Sequence, residues 1–339
     1  MPCEEELEMK NNGVITVFVG LYLLSGSCAN RDSGEQSVSG SQDTRQGVAI
    51  LITGAAARIS QEAALLEELD ARKLLKDVVF IAGVSSGALN AVALNGVLSG
   101  KIAWEDYRKI LFRLKDSDIF IQNGAVLPVN TEPARALFRH VAVDLLGYEH
   151  IGDLPITTAL SITRMKDLGF EKTAYRMSSR RINAETDTTL DLVDILMASS
   201  AFPLVFPIAR IQRATTIPDV GYVDGGFSED NVPYRALLEF EAYRGVGVER
   251  VYIVSRNNGG VPEISEELKR FGINDHGVFD RLGVNFDSIT NRKMTESLEK
   301  FTKDAPELAS RTFVWKPDFA KDFPLFSFDT MQTQYDLTV

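Results

Sequence analysis

FIAGVSSGALNA (residues 80–91) contains a serine between two glycines, at a point where the character of the sequence changes. Before the serine, DVVFIAG (77–83) is a short apolar run of the kind that forms a buried strand in a parallel sheet. After it, residues 86–98 are apolar on nearly every side, which predicts a helix buried in the core. The segment therefore predicts a sharp turn from strand to helix, with Ser85 at the turn.

Two interpretations of this turn are open. In the first, Gly83, Ser85 and Gly87 form the G-x-S-x-G pattern, in which a strained turn presents the serine hydroxyl as a nucleophile. A side chain at either glycine would then collide with the neighbouring strand or helix, and amides at the helix start would lie near the hydroxyl. In the second, Ser85 is only a small residue where the chain bends. The pattern alone is weakly specific, but the buried strand and helix around it favour a nucleophile.

A serine nucleophile needs a base, and the segment PDVGYVDGGFSEDNVP (218–233) offers one. Asp224 ends a short apolar run and is followed by Gly225 and Gly226, so we expect its carboxylate at a strand end with backbone close by. The alternative for this segment, taken alone, is an ordinary Asp-Gly turn of a β-hairpin.

His276, in the loop-like segment INDHG, is a second candidate base, in an α/β-hydrolase arrangement of serine, aspartate and histidine. In that arrangement several strands precede the nucleophile, whereas Ser85 follows only the second strand predicted for the domain. A surface histidine beside Asp275 is the simpler interpretation. The sequence favours Asp224 as the base and keeps a histidine-dependent esterase as a further hypothesis.

From residue 47 to residue 339 the chain shows no internal repeat and no linker, which predicts one domain. Strands are predicted over residues 47–52, 77–83, 156–165, 172–179 and 251–255, and helices over 60–75, 86–98, 104–114, 132–146, 190–201 and 280–301. Because strands alternate with helices, we expect a three-layer α/β/α fold with a mainly parallel central sheet.

The N-terminal residues 1–28 are typical of a signal peptide, since VITVFVGLYLL (14–24) has the length of a signal core and is too short for a membrane-spanning helix. Translation from Met9 would give this segment its basic start. Small residues leading into Cys28 are similar to the lipobox of bacterial lipoproteins, which predicts lipidation of Cys28 and an exported, lipid-anchored protein of the bacterial periplasm or cell envelope. A plain secretory signal or an uncleaved anchor is the alternative. Residues 29–46, rich in serine and glycine, predict a flexible tether.

The composition excludes several classes of function. A net charge of −11 argues against nucleic acid as a partner. Only two cysteines and three widely spaced histidines make disulfides, thiol catalysis and a metal site unexpected. The basic cluster Arg176, Arg180 and Arg181 is either a solvated turn or a contact for a lipid head group.

Four segments in order resemble the patatin-like phospholipases: LITGAAAR (51–58), GVSSGALNA (83–91), ASSAFPLVFP (198–207) and VDGGF (223–227). The resemblance covers most of the chain after residue 47 and implies a patatin-like fold with Ser85 as nucleophile and Asp224 as its partner. It also implies an oxyanion hole at Gly54, Ala55, Ala56 and Arg58, a nucleophile turn at Gly83, Ser86 and Gly87, and an aspartate turn at Gly225 and Gly226.

The activity that the resemblance implies is hydrolysis of phospholipids or other acyl lipids at a membrane surface, of phospholipase A type, without cofactor, metal or calcium. Ser85 would attack the ester, Asp224 would accept its proton, and water would hydrolyse the acyl-enzyme. An ordinary aspartate is a weak base, so Asp224 should be partly desolvated. An apolar acyl channel could be lined by residues 201–207 and 322–326, with core packing as the alternative. Residues 257–272 are either a mobile cover or an ordinary loop.

The chain departs from the family at the oxyanion loop, where the family has three glycines and this sequence has Gly54, Ala55 and Ala56. If a substituted position requires a positive φ, alanine costs about 1–2 kcal/mol there and misdirects an amide. Ile59 also replaces a glycine at the helix entrance. A second hypothesis therefore stays open, namely a surface lipoprotein that binds lipid with weak or no hydrolase activity.

Overall fold

The computed structural model describes residues 14–18, 45–122, 126–166, 169–176, 189–211, 221–228, 230–257, 286–319, 321, 323 and 325–339. Several predicted features lie outside them: Cys28 and the leader other than 14–18, most of the tether, Arg180 and Arg181, residues 258–272 of the predicted cover, and His276. No helix within the described ranges is both long and apolar enough to cross a bilayer.

One mainly parallel sheet organises the described chain. Its strands are β1 (Val14–Phe18), β2 (Val48–Ile52), β3 (Val78–Val84), β4 (Thr157–Lys166), β5 (Gly169–Arg176), β6 (Tyr222–Asp224), β7 (Arg250–Val254) and β8 (Thr312–Pro317). The order is β1-β8-β7-β2-β3-β4-β5, with β6 paired to β4. Neighbours from β8 to β4 are parallel, whereas β1, β5 and β6 are antiparallel to their partners. The predicted sheet is confirmed; β1 lies in the segment predicted as a signal core.

Helices cover both faces of this sheet. They are α1 (Ile59–Ala71), α2 (Ser86–Leu98), α3 (Trp104–Arg113), α4 (Glu132–Arg139), α5 (Leu192–Ser199), α6 (Tyr234–Arg244), α7 (Phe286–Asp304), α8 (Pro306–Ala309) and α9 (Met331–Thr338). Alternate residues of β2 enter two different apolar clusters: Ile50 and Ile52 pack with α1, α2 and α5, whereas Ala49 and Leu51 pack with α6 and α7. The strand is buried on both faces, which gives the predicted α/β/α layers.

The predicted elements differ from the structure mostly at their ends. Helix α2 has the predicted bounds, whereas the helix predicted over 132–146 is α-helical only over Glu132–Arg139 and continues as a π-helix over His140–Leu145. Strands β1 and β8 and helices α6, α8 and α9 were not predicted, whereas β6 was expected only as a short apolar run ending at Asp224. Helix α6 had a usable signal, since Gly245 follows it in the left-handed conformation that ends many helices.

The sheet brings two predicted site segments together at the carboxyl ends of neighbouring strands. Ile52, the last residue of β2, lies opposite Gly83 of β3, so the loop after β2 is adjacent to the turn after β3. On the other side of β3 lies β4, and Asp224 at the end of β6 pairs with Ile162 of β4. This edge of a parallel sheet is where ligands bind in open α/β folds.

Candidate active site

Ser85 lies at the turn between β3 and α2 in a strained conformation, with φ 57° and ψ −129°. Non-glycine residues rarely adopt a positive φ, and such strain costs about 1–3 kcal/mol. The Ser85 amide donates to Oγ of Ser199 over 2.9 Å, and the Ser199 hydroxyl donates to the Ser161 carbonyl over 2.7 Å. Helix α5 and strand β4 therefore brace the backbone of the turn.

The two glycines of the turn are required by close backbone contacts. A Cβ on Gly83 would lie 2.2 Å from the Gly87 carbonyl oxygen. A Cβ on Gly87 would lie 2.2 Å from the carbonyl oxygen of Thr53, at the end of the neighbouring strand. The collisions expected from the sequence are confirmed at both positions.

Asp224 is fixed by its backbone at the end of β6. Its amide donates to the Ala201 carbonyl over 3.0 Å, and the Thr163 hydroxyl donates to its carbonyl over 3.2 Å. The residues after it form a 3-10 turn over Gly225–Ser228, and a Cβ on Gly225 would lie 2.5 Å from the Ser161 carbonyl oxygen. Because β6 pairs with β4, which is distant in sequence, the two-residue hairpin considered for this segment is not what forms.

The carboxyl group of Asp224 is buried and contacts the nucleophile. Burial raises its pKa from 3.8 to about 6, while hydrogen bonds from the Ser85 hydroxyl and the Gly226 amide lower it. The Gly226 N–H to Oδ1 distance is 2.8 Å. Two residues that are remote in sequence thus form a hydrogen-bonded pair. A base with a pKa near the working pH is suited to general-base catalysis.

The loop after β2 passes beside this pair. A Cβ on Gly54 would lie 3.3 Å from Cβ of Ser85. The Ala55 amide donates to Oγ of Ser86 over 2.9 Å, which ties the loop to the nucleophile turn. Within the described part of the chain the amides of Gly54 and Ala56 donate to no protein acceptor, so these two are the available oxyanion donors of the loop.

Two residues of this loop need separate description: Ala56 for its backbone conformation and Arg58 for the contacts of its side chain. Ala56 has a φ of 47°, a left-handed conformation that favours glycine. Arg58 is buried, and its Nε and Nη2 donate to the Phe323 carbonyl over 3.0 and 2.7 Å. The Arg58 side chain therefore joins the loop to the C-terminal segment.

The carbonyl groups of the loop are held from beneath by three side chains. Nε of Arg256 donates to the Gly54 carbonyl over 3.2 Å, Nε2 of Gln334 to the Ala57 carbonyl over 2.8 Å, and Nδ2 of Asn90 to the Ile59 carbonyl over 3.2 Å. We call Arg256, Gln334 and Asn90, together with Thr53 and Glu62, the support network.

Glu62 lies at the centre of the support network and is fully buried. Burial raises its pKa well above its ordinary value, and the opposing effects are hydrogen bonds from Thr53 and Asn90 and the charge of Arg256. The Thr53 hydroxyl donates to Oε1 over 3.0 Å and Nδ2 of Asn90 to Oε2 over 3.2 Å. Tyr107 donates in turn to Oδ1 of Asn90 over 2.8 Å.

A pocket with a cavity volume of about 70 Å³ lies beside Ser85 and is lined almost entirely by apolar atoms. Both stretches expected to line an acyl channel contribute to it: Ala201, Phe202, Phe206 and Pro207 from the first, and Phe326 from the second. The Phe326 ring contacts those of Phe202 and Phe206 edge to face, with centroids 5.5 and 5.9 Å apart. Helices α2, α4 and α5 also contribute to its walls.

No cluster of three or more histidine, cysteine, aspartate or glutamate residues suited to a metal ion occurs in the described ranges. Sequence reasoning missed Ser199, the bridge to the nucleophile amide, and the support network. Ser199 is part of ASSAFPLVFP, so only the family resemblance pointed to it. Glu62 and Gln334 gave no signal, since polar residues on helices are usually exposed.

Comparison with known proteins identifies a family for this chain. The family model described as patatin-like phospholipase matches residues 50–238. Among solved structures, VipD from Legionella pneumophila is similar at 10% identity and a TM-score of 0.36, over 86% of this chain and 67% of that one. No curated protein matches. Because the family model spans more than half of the chain, including Ser85 and Asp224, this chain belongs to the patatin-like phospholipase family, a family of lipid acyl hydrolases.

Proposed function

We propose that this chain is a serine hydrolase that cleaves carboxylic esters of phospholipids or other acyl lipids, with Ser85 as nucleophile and Asp224 as base. The observation that carries the proposal is the contact between the Ser85 hydroxyl and the buried Asp224 carboxyl, beside an apolar pocket. The contact supplies an activated nucleophile, and the pocket offers an apolar lining against which an acyl chain could pack.

The reaction needs only one proton acceptor. As Oγ of Ser85 attacks the ester carbonyl carbon, the Asp224 carboxylate takes the hydroxyl proton, and the carbonyl electrons move to the oxyanion. Collapse of this intermediate breaks the ester bond, and Asp224 returns the proton to the departing alcohol. Water, deprotonated by Asp224, then attacks the acyl-serine and releases the fatty acid and free Ser85.

The oxyanion would be stabilised by the amides of Gly54 and Ala56. Both belong to the loop beside Ser85 and are free of protein acceptors among the described residues. One such donor commonly contributes about 3–4 kcal/mol to the stability of the transition state.

A fluorophosphonate probe tests the proposal directly. We expect it to label the wild type, to leave Ser85→Ala unlabelled, and to label Asp224→Asn only slowly. Ser310→Ala, at an exposed and distant serine, is the matched control and should label like the wild type. A lipid-hydrolysis screen by mass spectrometry, wild type against Ser85→Ala, then identifies the substrate. Labelling that survives Ser85→Ala would contradict the proposal.

Two observations favour a second candidate, a lipid-binding protein with weak turnover. Ala56 holds a conformation that is strained for alanine, and the Ala55 amide is occupied by Ser86. A weakened oxyanion site would slow acylation without affecting the pocket. Vesicle binding by a wild type that stays unlabelled by the probe would select this candidate.

We also propose that the protein is exported and anchored through a lipid on Cys28, with bacterial lipoproteins as the analogy. The support is the apolar segment 14–24 and the small residues that lead into Cys28. Metabolic labelling with palmitate should mark the wild type and not Cys28→Ala. Equal labelling of both would contradict lipidation at this cysteine.

A further inference from the structure

Four large apolar side chains are exposed close to the pocket. The exposed fractions are 47% for Ile121, 66% for Val126, 58% for Leu204 and 53% for Ile208. We call these four residues the mouth patch. They occupy short segments that backbone hydrogen bonds join side by side.

The hydrogen bonds place the segments next to one another. Ile121 and Asn130 exchange two backbone bonds of 2.8 and 3.1 Å, and the amide of Val129 donates to the carbonyl of Val205 over 2.9 Å. Leu204 precedes Val205 and is therefore next to Val129. Because Asn130 follows Val129 and is bonded to Ile121, the segments of Leu204 and Ile121 lie on either side of residues 129–130.

The same segments form a wall of the pocket. Ile119, Phe206 and Pro207 line it, and the ring of Phe120 packs against that of Phe206 with centroids 6.2 Å apart. Pocket-lining residues and exposed apolar residues thus lie within two positions of one another along these stretches, as Ile119 and Ile121 or Pro207 and Ile208 do. The mouth patch therefore adjoins the wall of the pocket.

Leu204 has a second unusual property, a φ of 72°. This left-handed conformation favours glycine or asparagine, and an exposed leucine gains little burial to offset the strain. Strain at an exposed apolar residue is often associated with function.

Given the proposed function, on which this inference rests, we propose that the mouth patch docks the protein on a lipid bilayer by entering its interface. An acyl chain would then pass from the bilayer into the pocket without crossing water. Apolar contact must supply the attraction, because a net charge of −11 disfavours anionic head groups. Neutral phosphatidylcholine vesicles are therefore the appropriate probe.

Flotation with phosphatidylcholine vesicles tests the docking on a protein that carries both Ser85→Ala and Cys28→Ala, so that neither hydrolysis nor a lipid anchor plays any part. We expect the further changes Leu204→Asn and Ile208→Ser together to lower the partition coefficient about tenfold or more, with little dependence on salt. Leu337→Asn is the matched control, since this leucine on α9 is 42% exposed and lies outside the patch. Unchanged binding of the double variant, or an equal loss in the control, would overturn the proposal.

Folding and self-association are checked on the same proteins. Asparagine suits the left-handed φ at position 204, so thermal unfolding of Leu204→Asn alone should match the parent. If the double variant instead abolishes a dimer while vesicle binding persists, the patch is an interface between two copies and the proposal is wrong.

The two proposals fail in different ways. With Ser85 intact, the double variant should hydrolyse a soluble short-chain ester at the normal rate and vesicle lipid about tenfold more slowly. If the wild type hydrolyses neither substrate, the proposed function is wrong. If the wild type and the double variant hydrolyse vesicle lipid at equal rates, the docking proposal is wrong.

Discussion

The nucleophile turn (83–87) and the oxyanion loop (54–58) lie side by side, but their shapes have different origins. The turn keeps both glycines, and its critical contact joins Gly83 to Gly87. The loop has alanine at positions 55 and 56, and Arg256 and Gln334 hold its carbonyl groups across 202 and 277 positions of sequence. The turn is limited by backbone contacts that leave no room for a methyl group, whereas the loop is held by hydrogen bonds from distant side chains.

The difference shows which kind of change each region tolerates. The turn has no room for even one additional methyl group, so a contact elsewhere cannot compensate when a glycine is replaced. In the loop, hydrogen bonds from side chains hold the backbone in its conformation even though Ala56 is strained. Changes in the turn should therefore act on activity more strongly than changes in the loop.

The largest effect is expected from Gly87→Ala. The new methyl group would lie 2.2 Å from the Thr53 carbonyl oxygen, which forces backbone movement at the nucleophile. We expect probe labelling to fall more than about 100-fold and stability to fall by about 3 kcal/mol, measured by labelling rate and chemical unfolding. Gly245→Ala is the control: no atom lies within 4 Å of the new methyl group, so any loss there reflects only the positive φ of Gly245, which Gly87 lacks. Near-normal labelling of Gly87→Ala would contradict the steric account.

The second prediction concerns the pH dependence of kcat/KM and distinguishes between the two buried carboxyl groups, Asp224 and Glu62. Asp224 must be ionised to act as a base and its pKa is about 6, so kcat/KM should rise with pH and level off above 6. Below pH 6 the rate should fall about tenfold per unit.

The ionisation of Glu62, beneath the loop, should not shape this profile. Glu62→Gln is therefore expected to keep the rise near pH 6 in the pH–rate profile. A rise that disappears in Glu62→Gln would assign the titrating group to the support network and contradict Asp224 as the base.

A smaller effect is expected from Gln334→Met, which removes a support of the loop. The Ala57 carbonyl and Nε2 of Gln61 would each lose a partner in the interior, at a cost of about 2 kcal/mol or more in stability. We expect kcat to fall about tenfold with KM little changed, because the loss concerns transition-state stabilisation. Gln332→Met, exposed on the same helix, should behave like the wild type. If both variants behave alike, the loop does not depend on Gln334.

The smallest effect is expected from Ala56→Gly, which restores the family residue. Relief of the positive φ should raise the free energy of unfolding by about 1 kcal/mol and increase kcat a few-fold. Ala55→Gly serves as the control, since Ala55 has a φ of −129° and gains nothing from glycine. If chemical unfolding shows that Ala56→Gly is less stable than the wild type, backbone strain at Ala56 does not explain the difference between the loop and the turn.

The sequence predicted well those features that depend on near neighbours. The bounds of α2 follow from its apolar run, and the collisions at Gly83 and Gly87 follow from the backbone geometry of a sharp turn from strand to helix. The π-helix after α4 and strand β8 were missed, because short or irregular elements carry too few residues for a periodic pattern. Asp224 was found from its strand end and glycines, and the family resemblance linked it to Ser85.

By itself the sequence determined a buried parallel sheet, a serine on a glycine-flanked turn, and the segments able to line an apolar pocket. Tertiary structure alone decided that Asp224 is desolvated against Ser85, that Ser199 braces the nucleophile amide, and that distant side chains hold the alanine-substituted loop. The physical reason is the separation along the sequence over which each kind of interaction acts. Steric limits and amphipathic periods act between near neighbours and leave a pattern, whereas burial and long-range hydrogen bonds depend on which segments the fold brings together.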